Sequence, residues 1–200
     1  MTALLKKRPI RLPLLLAVGV LAISLSGCSV EHREGAPTGV SAGELADGAE
    51  PYFWAGRVTY QVQVSRQLNP FDTYDVQYLS GVKGAQSLGP QQFWFGVFLW
   101  AKNQSGHQVK TADKFRIVDS AGNVYDPTPV STNTNPFAWT SETLGPDAIQ
   151  PVGDSAASNS SPGGALILFK LNQTVYSNRP LTLQVFAPGR SKPSNVSLDL

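Results

Sequence analysis

One thiol, two imidazoles and a scatter of carboxylates are the groups in this 200-residue chain whose chemistry goes beyond packing. The thiol is Cys28, the single cysteine, so no disulfide forms within one chain. The imidazoles, His32 and His107, lie far apart, and a zinc or copper site wants several His, Cys or carboxylate ligands brought together. Nine acids fall in residues 52–200: Asp72, Asp75, Asp113, Asp119, Asp126, Glu142, Asp147, Asp154 and Asp199. Glycoside hydrolysis needs two carboxylates facing each other across a cleft. Most of these acids sit in or beside turn signals, where Asp serves the backbone anyway, and no pair stands out. Asp72 and Asp75, close to Asn69, offer hard oxygens to Ca²⁺, but their spacing lacks the further ligands and the glycine of an EF-hand loop. A turn whose carboxylates accept backbone N–H groups is the simpler reading. Gly39-Val40-Ser41-Ala42-Gly43 fits G-x-S-x-G, a motif that works only on a strand-to-helix elbow; no strand precedes it here. The sequence therefore carries no catalytic constellation, and neither enzyme activity nor a metal or other cofactor is expected.

The surroundings of Cys28 give its sulfur a different task. Lys6, Lys7, Arg8 and Arg11 precede an almost wholly apolar run over residues 12–25, and Ser26 and Gly27 close it. A basic head, an apolar core of roughly 7–15 residues and a small-residue exit describe a secretory leader. The run is short of the about 20 residues that a membrane-spanning helix needs. Leu25-Ser26-Gly27-Cys28 resembles the lipobox of bacterial lipoproteins. The resemblance implies diacylglycerol on the Cys28 sulfur, cleavage between Gly27 and Cys28, and attachment to a membrane through the acyl chains. Each buried acyl CH₂ contributes about 0.8 kcal/mol, so two chains hold where one would not. The alternatives are a buried free cysteine acting as a small core hydrophobe, or an ordinary leader cut nearby.

Loss of the leader changes the charge. The full chain has 16 basic and 14 acidic residues; four of the basic ones leave with residues 1–27, so 12 face 14 in the mature chain, a net charge of −2. No Lys/Arg cluster suggests a nucleic-acid partner. Residues 28–51 follow as a lipidated cysteine and a Gly/Ala/Ser/Glu-rich tether, in which Glu31, Glu34, Glu44, Asp47 and Glu50 outweigh Arg33. The tether buries too little to offset chain entropy, and its charge is repelled by anionic headgroups. Every Trp, Tyr and Phe lies in residues 52–200, which are expected to form one domain.

The domain reads as strands. In residues 57–65, Val58, Tyr60, Val62 and Val64 alternate with Thr59, Gln61 and Gln63, the pattern of a half-buried strand. "FWFGVFLW", residues 93–100, has no polar face and reads as a strand covered on both sides. Gly96 within it marks either a bulge or a place where a large ring crosses the backbone. Residues 114–118 alternate into a Gly122-containing turn and out through Val124 and Tyr125, a hairpin. "ALILFKL", residues 165–171, is a second deeply buried strand. Leu181, Leu183 and Val185 form another, and Val196, Leu198 and Leu200 close the chain. Residues 72–79 are either a strand or a short helical turn, and residues 127–163 are mostly loop with a short strand near 148–151. No segment carries a long 3.6-residue apolar period. The fold class expected is all-β: an antiparallel sandwich of seven to nine strands.

"WFGVFLWAKNQSGHQVK" followed by "FRIVDSAGNVYDP" resembles bacterial, actinobacterial-type lipoproteins of unknown function with an immunoglobulin-like domain. These share their fold with a small secreted mycobacterial immunogenic antigen. The shared pattern is an apolar strand ending in Asn and a polar turn, then aromatic-x-Ile/Leu-x-Asp, a Gly turn, an aromatic and a Pro. Here those positions are Asn103, Phe115, Ile117, Asp119, Gly122, Tyr125 and Pro127. "LNPFDTYDVQYLSG", "NPFAW", "LILFK" and "NRPLTL" extend the resemblance over most of residues 56–200. It implies an immunoglobulin-like sandwich and a single-membrane envelope, and it supplies no catalytic residue.

Tyr74, Tyr78, Tyr125, Phe137 and Trp139 lie at turns and strand ends, where they either cap the core or form a recognition surface. Asn135, Pro136, Phe137 and Trp139, in "NPFAW", are the candidate interaction loop, because a long Pro/Gly/Ser segment is costly unless used. The sequence thus points to a lipid-anchored protein on the extracytoplasmic face of the cell membrane. Its domain would present loops to another envelope protein or a cell-wall component. A structural accessory subunit of an envelope transport or cell-wall complex ranks second, and an envelope hydrolase third.

Overall fold

The computed structural model describes residues 52–198; the leader, Gly27 and Cys28, the tether, the match at 39–43 and Leu200 lie outside the described residues. Seven strands longer than two residues run in the order β1 (Tyr52–Ala55), β2 (Val58–Leu68), β3 (Gln92–Asn103), β5 (Lys114–Val118), β9 (Ala165–Asn172), β10 (Leu181–Phe186) and β11 (Ser194–Leu198). Four two-residue strands complete the set: β4 (Val109–Lys110), β6 (Val124–Tyr125), β7 (Thr143–Leu144) and β8 (Ile149–Gln150). Val76–Leu79 and Gln173–Tyr176 are single 3₁₀ turns, so residues 72–79 resolve as turn and helical turn rather than strand.

All strand pairs are antiparallel. One sheet orders β1-β2-β3, with β9 and β8 sharing the far edge of β3; the other orders β11-β10-β5-β6; β4 and β7 form a separate ribbon. With β2, β3, β5, β9, β10 and β11 read as A, B, C, E, F and G, the sheets become A-B-E and G-F-C, the neighbour order of an immunoglobulin-type sandwich. Where a fourth strand would extend the first sheet beyond β9, a loop runs instead. Thr128 donates to the Leu168 carbonyl at 2.7 Å, Trp139 to the Leu166 carbonyl at 2.8 Å, and Leu166 to the Phe137 carbonyl at 2.7 Å. The free edge of β9 is thereby capped against pairing with another chain.

Side chains of alternating strand positions build two apolar clusters, one on each face of the first sheet. The main core, between the sheets, holds Tyr60, Val62, Phe95, Val97, Leu99, Phe169, Ile117, Leu183 and Val196. The second, on the outer face, holds Leu68, Tyr78, Leu79, Trp94, Phe98, Leu166 and Leu168. β3 and β9 feed both clusters, which is why "FWFGVFLW" and "ALILFKL" lack a polar face. Each large side chain taken fully out of water contributes about 1.5–3 kcal/mol.

Two details depart from the simple alternation. The register slips between Val62 and Val64, so Gln63 is the extra residue of a bulge. Beyond it the inward positions invert: Val62 lies in the main core and Val64 packs against the second cluster. Gly96 itself stays in regular register with Arg66 and Leu168. It is small because its outward side is crowded: a Cβ there would stand 3.0 Å from Leu68 Cδ1 and 3.1 Å from both Leu166 Cδ1 and Phe98 Cε2.

The second cluster is roofed by two loops, 69–91 and 127–163. Trp94 Nε1 donates to the Ala85 carbonyl at 2.8 Å and fastens the first loop to β3. Asn135 Nδ2 donates to the Tyr78 carbonyl at 2.8 Å and Ser80 Oγ to the Thr134 carbonyl at 3.0 Å, stitching the second loop to the first.

Candidate interaction surface

The roof carries the most exposed aromatics among the described residues: Phe71 is 74% exposed and Tyr74 80%. Between them and Tyr78, which is buried, lie only turn residues, and hydrogen bonds decide which ring turns out. Asn69 Oδ1 accepts from the Phe71 amide at 3.0 Å, and Asp72 Oδ1 from the amides of Tyr74 at 2.8 Å and Asp75 at 3.2 Å. Asp75 Oδ2 accepts from the Asn69 amide at 2.9 Å, while its Oδ1 takes Arg66 Nη2 at 2.5 Å. This knuckle, residues 69–76, is therefore a chain of side-chain-closed turns fastened to β2 by one ion pair.

Burial pulls the Asp75 carboxyl upward, but the hydrogen bonds from Arg66 and Asn69 and the guanidinium charge outweigh it and hold the group below its ordinary value. Asn69, Asp72 and Asp75 thus spend oxygens on backbone and guanidinium donors rather than facing a common point. Among the described residues no group of three or more His, Cys, Asp or Glu is placed to hold a metal ion.

Open clefts flank the knuckle. A cleft of about 470 Å³ has Tyr74, Tyr78 and Phe137 among its aromatic lining residues and Arg66, Asn159 and Ser160 among its polar ones. Tyr78 meets Phe137 edge-on at 4.9 Å and Phe98 at 5.0 Å, and the Arg66 guanidinium lies 5.9 Å from its ring centre. Burial pushes the Tyr78 hydroxyl up, and a hydrogen bond with Ser160 draws it partly back. On the other side, about 480 Å³ opens between Phe71, Leu88 and Phe93. There Tyr176 stacks on Phe93 at 5.4 Å and donates its hydroxyl to Gln67 Oε1 at 2.9 Å.

The "NPFAW" loop folds over the sheet instead of standing off as a ledge. Asn135 is wholly buried, its amide donating to the carbonyls of Tyr78 and Ser80 and its oxygen accepting from the Phe137 amide at 3.0 Å. Pro136 is exposed, and Phe137 is half-buried against the second cluster. Trp139 is half-buried, packs edge-on to Phe115 at 5.7 Å, and donates from Nε1 to the Ala112 carbonyl at 2.9 Å. The Ala112 amide in turn donates to the Tyr60 hydroxyl at 2.8 Å, and burial raises that phenol well above its ordinary value. Of the loop's rings, Phe137 lines the 470 Å³ cleft and Trp139 lines another opening of about 450 Å³. The acids beside that opening are ion-paired elsewhere: Asp126 with Arg116 at 3.0 Å and Asp113 with Lys110 at 3.3 Å.

Residues of the strand-and-turn pattern through Asn103, Asp119 and Gly122 organise turns. Asn103, wholly buried, donates to the carbonyls of His107, Leu144 and Gly145 and accepts from Ser105. Asp119, 4% exposed, accepts from the amides of Ala121 and Asn123, the side chains of Asn123 and Asn178, and the Tyr125 hydroxyl. Burial opposes its charge, yet these donors hold its carboxyl below the ordinary value. Gly122, at φ +84°, closes the β5–β6 turn around it. His107 is exposed and serves the structure through its carbonyl.

Phe71 is the most exposed of the rings that the aromatic pattern passed over, Tyr52 and Tyr176 being the other exposed ones. Its signal lies in "NPFDTYD": two rings interleaved with Pro and Asp turn residues have no periodic face through which to reach a core.

No family model and no curated protein sequence matches the chain. Among solved structures, the yjhA protein of Bacillus subtilis is similar over 74% of this chain and 97% of its own, at 13% identity and a TM-score of 0.47. An uncharacterised β-sandwich protein of Clostridium difficile is similar over 74% and 89%, at 13% identity and a TM-score of 0.42. A functionally unknown protein of Listeria monocytogenes is similar over 73% and 78%, at 10% identity and a TM-score of 0.44.

Proposed function

We propose that this protein is a lipid-anchored lipoprotein on the extracytoplasmic face of the cell membrane, whose sandwich domain binds an envelope component without catalysing a reaction on it. The anchor reading is supported by Leu25-Ser26-Gly27-Cys28 behind a basic and apolar leader. The family reading, an actinobacterial-type lipoprotein, is supported by the strand-and-turn pattern through Asn103, Asp119 and Gly122. The observation that carries the binding role is the knuckle: Phe71 and Tyr74 stand in water on turns pinned by Asp75 and Arg66. Rigid exposed rings lose little entropy on contact and offer large area, which is what recognition surfaces use.

Two measurements test the two halves separately. Mass spectrometry of the protein extracted from membranes should find diacylglyceryl on an N-terminal Cys28, and Cys28→Ser should move the protein to the soluble fraction; an unmodified Cys28 removes the anchor. Cross-linking in intact envelopes should recover a partner from the native protein and lose it from Phe71→Ala/Tyr74→Ala. An identical partner set from both proteins removes the knuckle from the binding role.

A further inference from the structure

We propose that the cleft between Tyr74 and Ser160 is a subsite for one ring of a neutral sugar chain. This deepens the reading of the domain as a non-catalytic binder and rests on it. One part of the cleft lining is aromatic: Tyr74 stands 80% exposed, Phe137 is half-exposed, and Tyr78 lies beneath them. Another part is made of small hydroxyl and amide side chains, with Asn159 and Ser160 among them, in residues 152–163. That segment is held by its own turns, the Asn159 amide donating to the Ser155 carbonyl at 3.0 Å and Gly163 to Ser160 at 2.9 Å.

The pairing of surfaces selects the ligand chemistry. A pyranose presents a C–H face that packs on an aromatic ring and a rim of hydroxyls that both donate and accept. Asn159 and Ser161, both exposed, answer that rim in either sense, while Ser160 donates its hydroxyl to the Ala157 carbonyl at 2.7 Å and offers the ligand only an acceptor. Charge argues the same way. Among the described residues lining the cleft Arg66 is the one that is charged, and its guanidinium is taken up by Asp75 at 2.5 Å and the Gln67 carbonyl at 3.2 Å. Phosphate, nucleotide and acidic peptide ligands all want an uncommitted cation there. A peptide added as a strand wants an open strand edge, whereas the walls here are mostly turns. The cleft's volume, about 470 Å³, suits a small ligand rather than a folded partner.

The test uses the mature chain with Cys28→Ser, so that no lipid is attached. Maltotetraose, cellotetraose, mannotetraose and chitotetraose are titrated while backbone amide resonances are followed. At least one should shift the amides of residues 74–78 and 156–161, with a dissociation constant on the order of 1 mM, as expected for a single open subsite. Tyr74→Ala should weaken that sugar about tenfold through loss of the ring contact, Tyr74→Phe should keep it, and Tyr52→Ala, on β1, should leave it unchanged. A melting temperature unchanged by Tyr74→Ala separates lost contact from lost fold. The proposal is overturned if none of the four sugars binds, if Tyr74→Ala binds as well as the native residue, or if a neutral proline-rich decapeptide occupies these amides in preference to all four. Because no lipid is present, failure here leaves the anchor and partner measurements standing, and failure of those leaves this result standing.

Discussion

Replacing Asp75 with Asn tests whether one ion pair holds the knuckle. In the native protein Oδ1 takes the Arg66 guanidinium and Oδ2 the Asn69 amide, with the Asp75 side chain 9% exposed and that of Arg66 38%. Asparagine keeps one acceptor and turns a donor toward whichever partner it does not serve. Half the pair is open to water, so the lost charge attraction is worth only about 1 kcal/mol. The donor set against a donor adds about 1–2 kcal/mol, giving about 2–3 kcal/mol in all. For a domain of about 150 residues this lowers the melting temperature by about 5–10 °C. The pH dependence supplies an independent check. The folded Asp75 carboxyl lies below its ordinary value, so its contribution is fully present above the unfolded value, about 3.9, and is lost as pH falls through the folded one. Calorimetric scans of Asp75→Asn and the native protein should therefore differ by a constant gap from neutral pH down to about pH 5, then converge on further acidification. Protease sensitivity should rise within residues 69–76 first. Equal melting temperatures at neutral pH, or a gap that persists unchanged down to about pH 2, would refute the assignment.

Two further substitutions separate the turns from the roof. Asp119→Asn should cost about 3 kcal/mol, because two side-chain amides and the Tyr125 hydroxyl, all neutral donors, point into a buried carboxylate. Its loss should be insensitive to added salt, while part of the Asp75 effect is screened; urea midpoints at low and high salt check the contrast. Its pH window has the same sign, with stability present above the unfolded Asp value and lost as acid titrates the depressed carboxyl. Asn135→Ala leaves the carbonyls of Tyr78 and Ser80 short of a donor and should cost about 2 kcal/mol. Hydrogen exchange should then quicken at the Phe137 and Trp139 amides while the β10 amides keep their protection.

The strands were legible because alternation records a strand with one wet face, and most of the long strands have one. Val58, Tyr60 and Val62 face the main core as the pattern requires. The pattern broke at Gln63 because a bulge residue carries no composition signal; a Gln between valines looks the same whether it faces water or fills an extra position. The two-residue strands fall below the length at which any period shows. The fully apolar strands announced that both faces are covered without saying by what. The cover is the pair of loops, whose apolar residues, Leu79, Leu88, Val130 and Phe137, are too sparse to show a period.

The candidate surface was half-legible for a related reason. "NPFAW" has the composition of an exposed loop, yet one buried amide, that of Asn135, turns it inward onto the carbonyls of the neighbouring loop. A polar residue flanked by Pro reads as surface until a partner from another segment satisfies it. "NPFDTYDVQYL" shows the converse. Tyr74 and Tyr78 are one helical turn apart and chemically identical, but one is 80% exposed and the other 2%. Asp72 and Asp75 bend the chain between them so that the second ring packs against Phe98 and the first does not.

Roofing one sheet has a consequence for where recognition can evolve. In an open sandwich the outer sheet face is available to a ligand, but here Trp94, Phe98 and Leu168, on the outer face of β3 and β9, are already sealed under the two loops. The roof meets water in place of that face, and its exposed rings are mounted on turns whose tie to the sheet is Arg66 at the end of β2. The rings can therefore change identity without repacking either cluster, whereas Asp72, Asp75 and Asn135 cannot. A surface whose framework is polar and buried while its contact residues are apolar and exposed is arranged to hold aromatic groups in water at fixed positions. Packing alone gives no reason for that arrangement, since Phe71 and Tyr74 bury almost nothing where they stand.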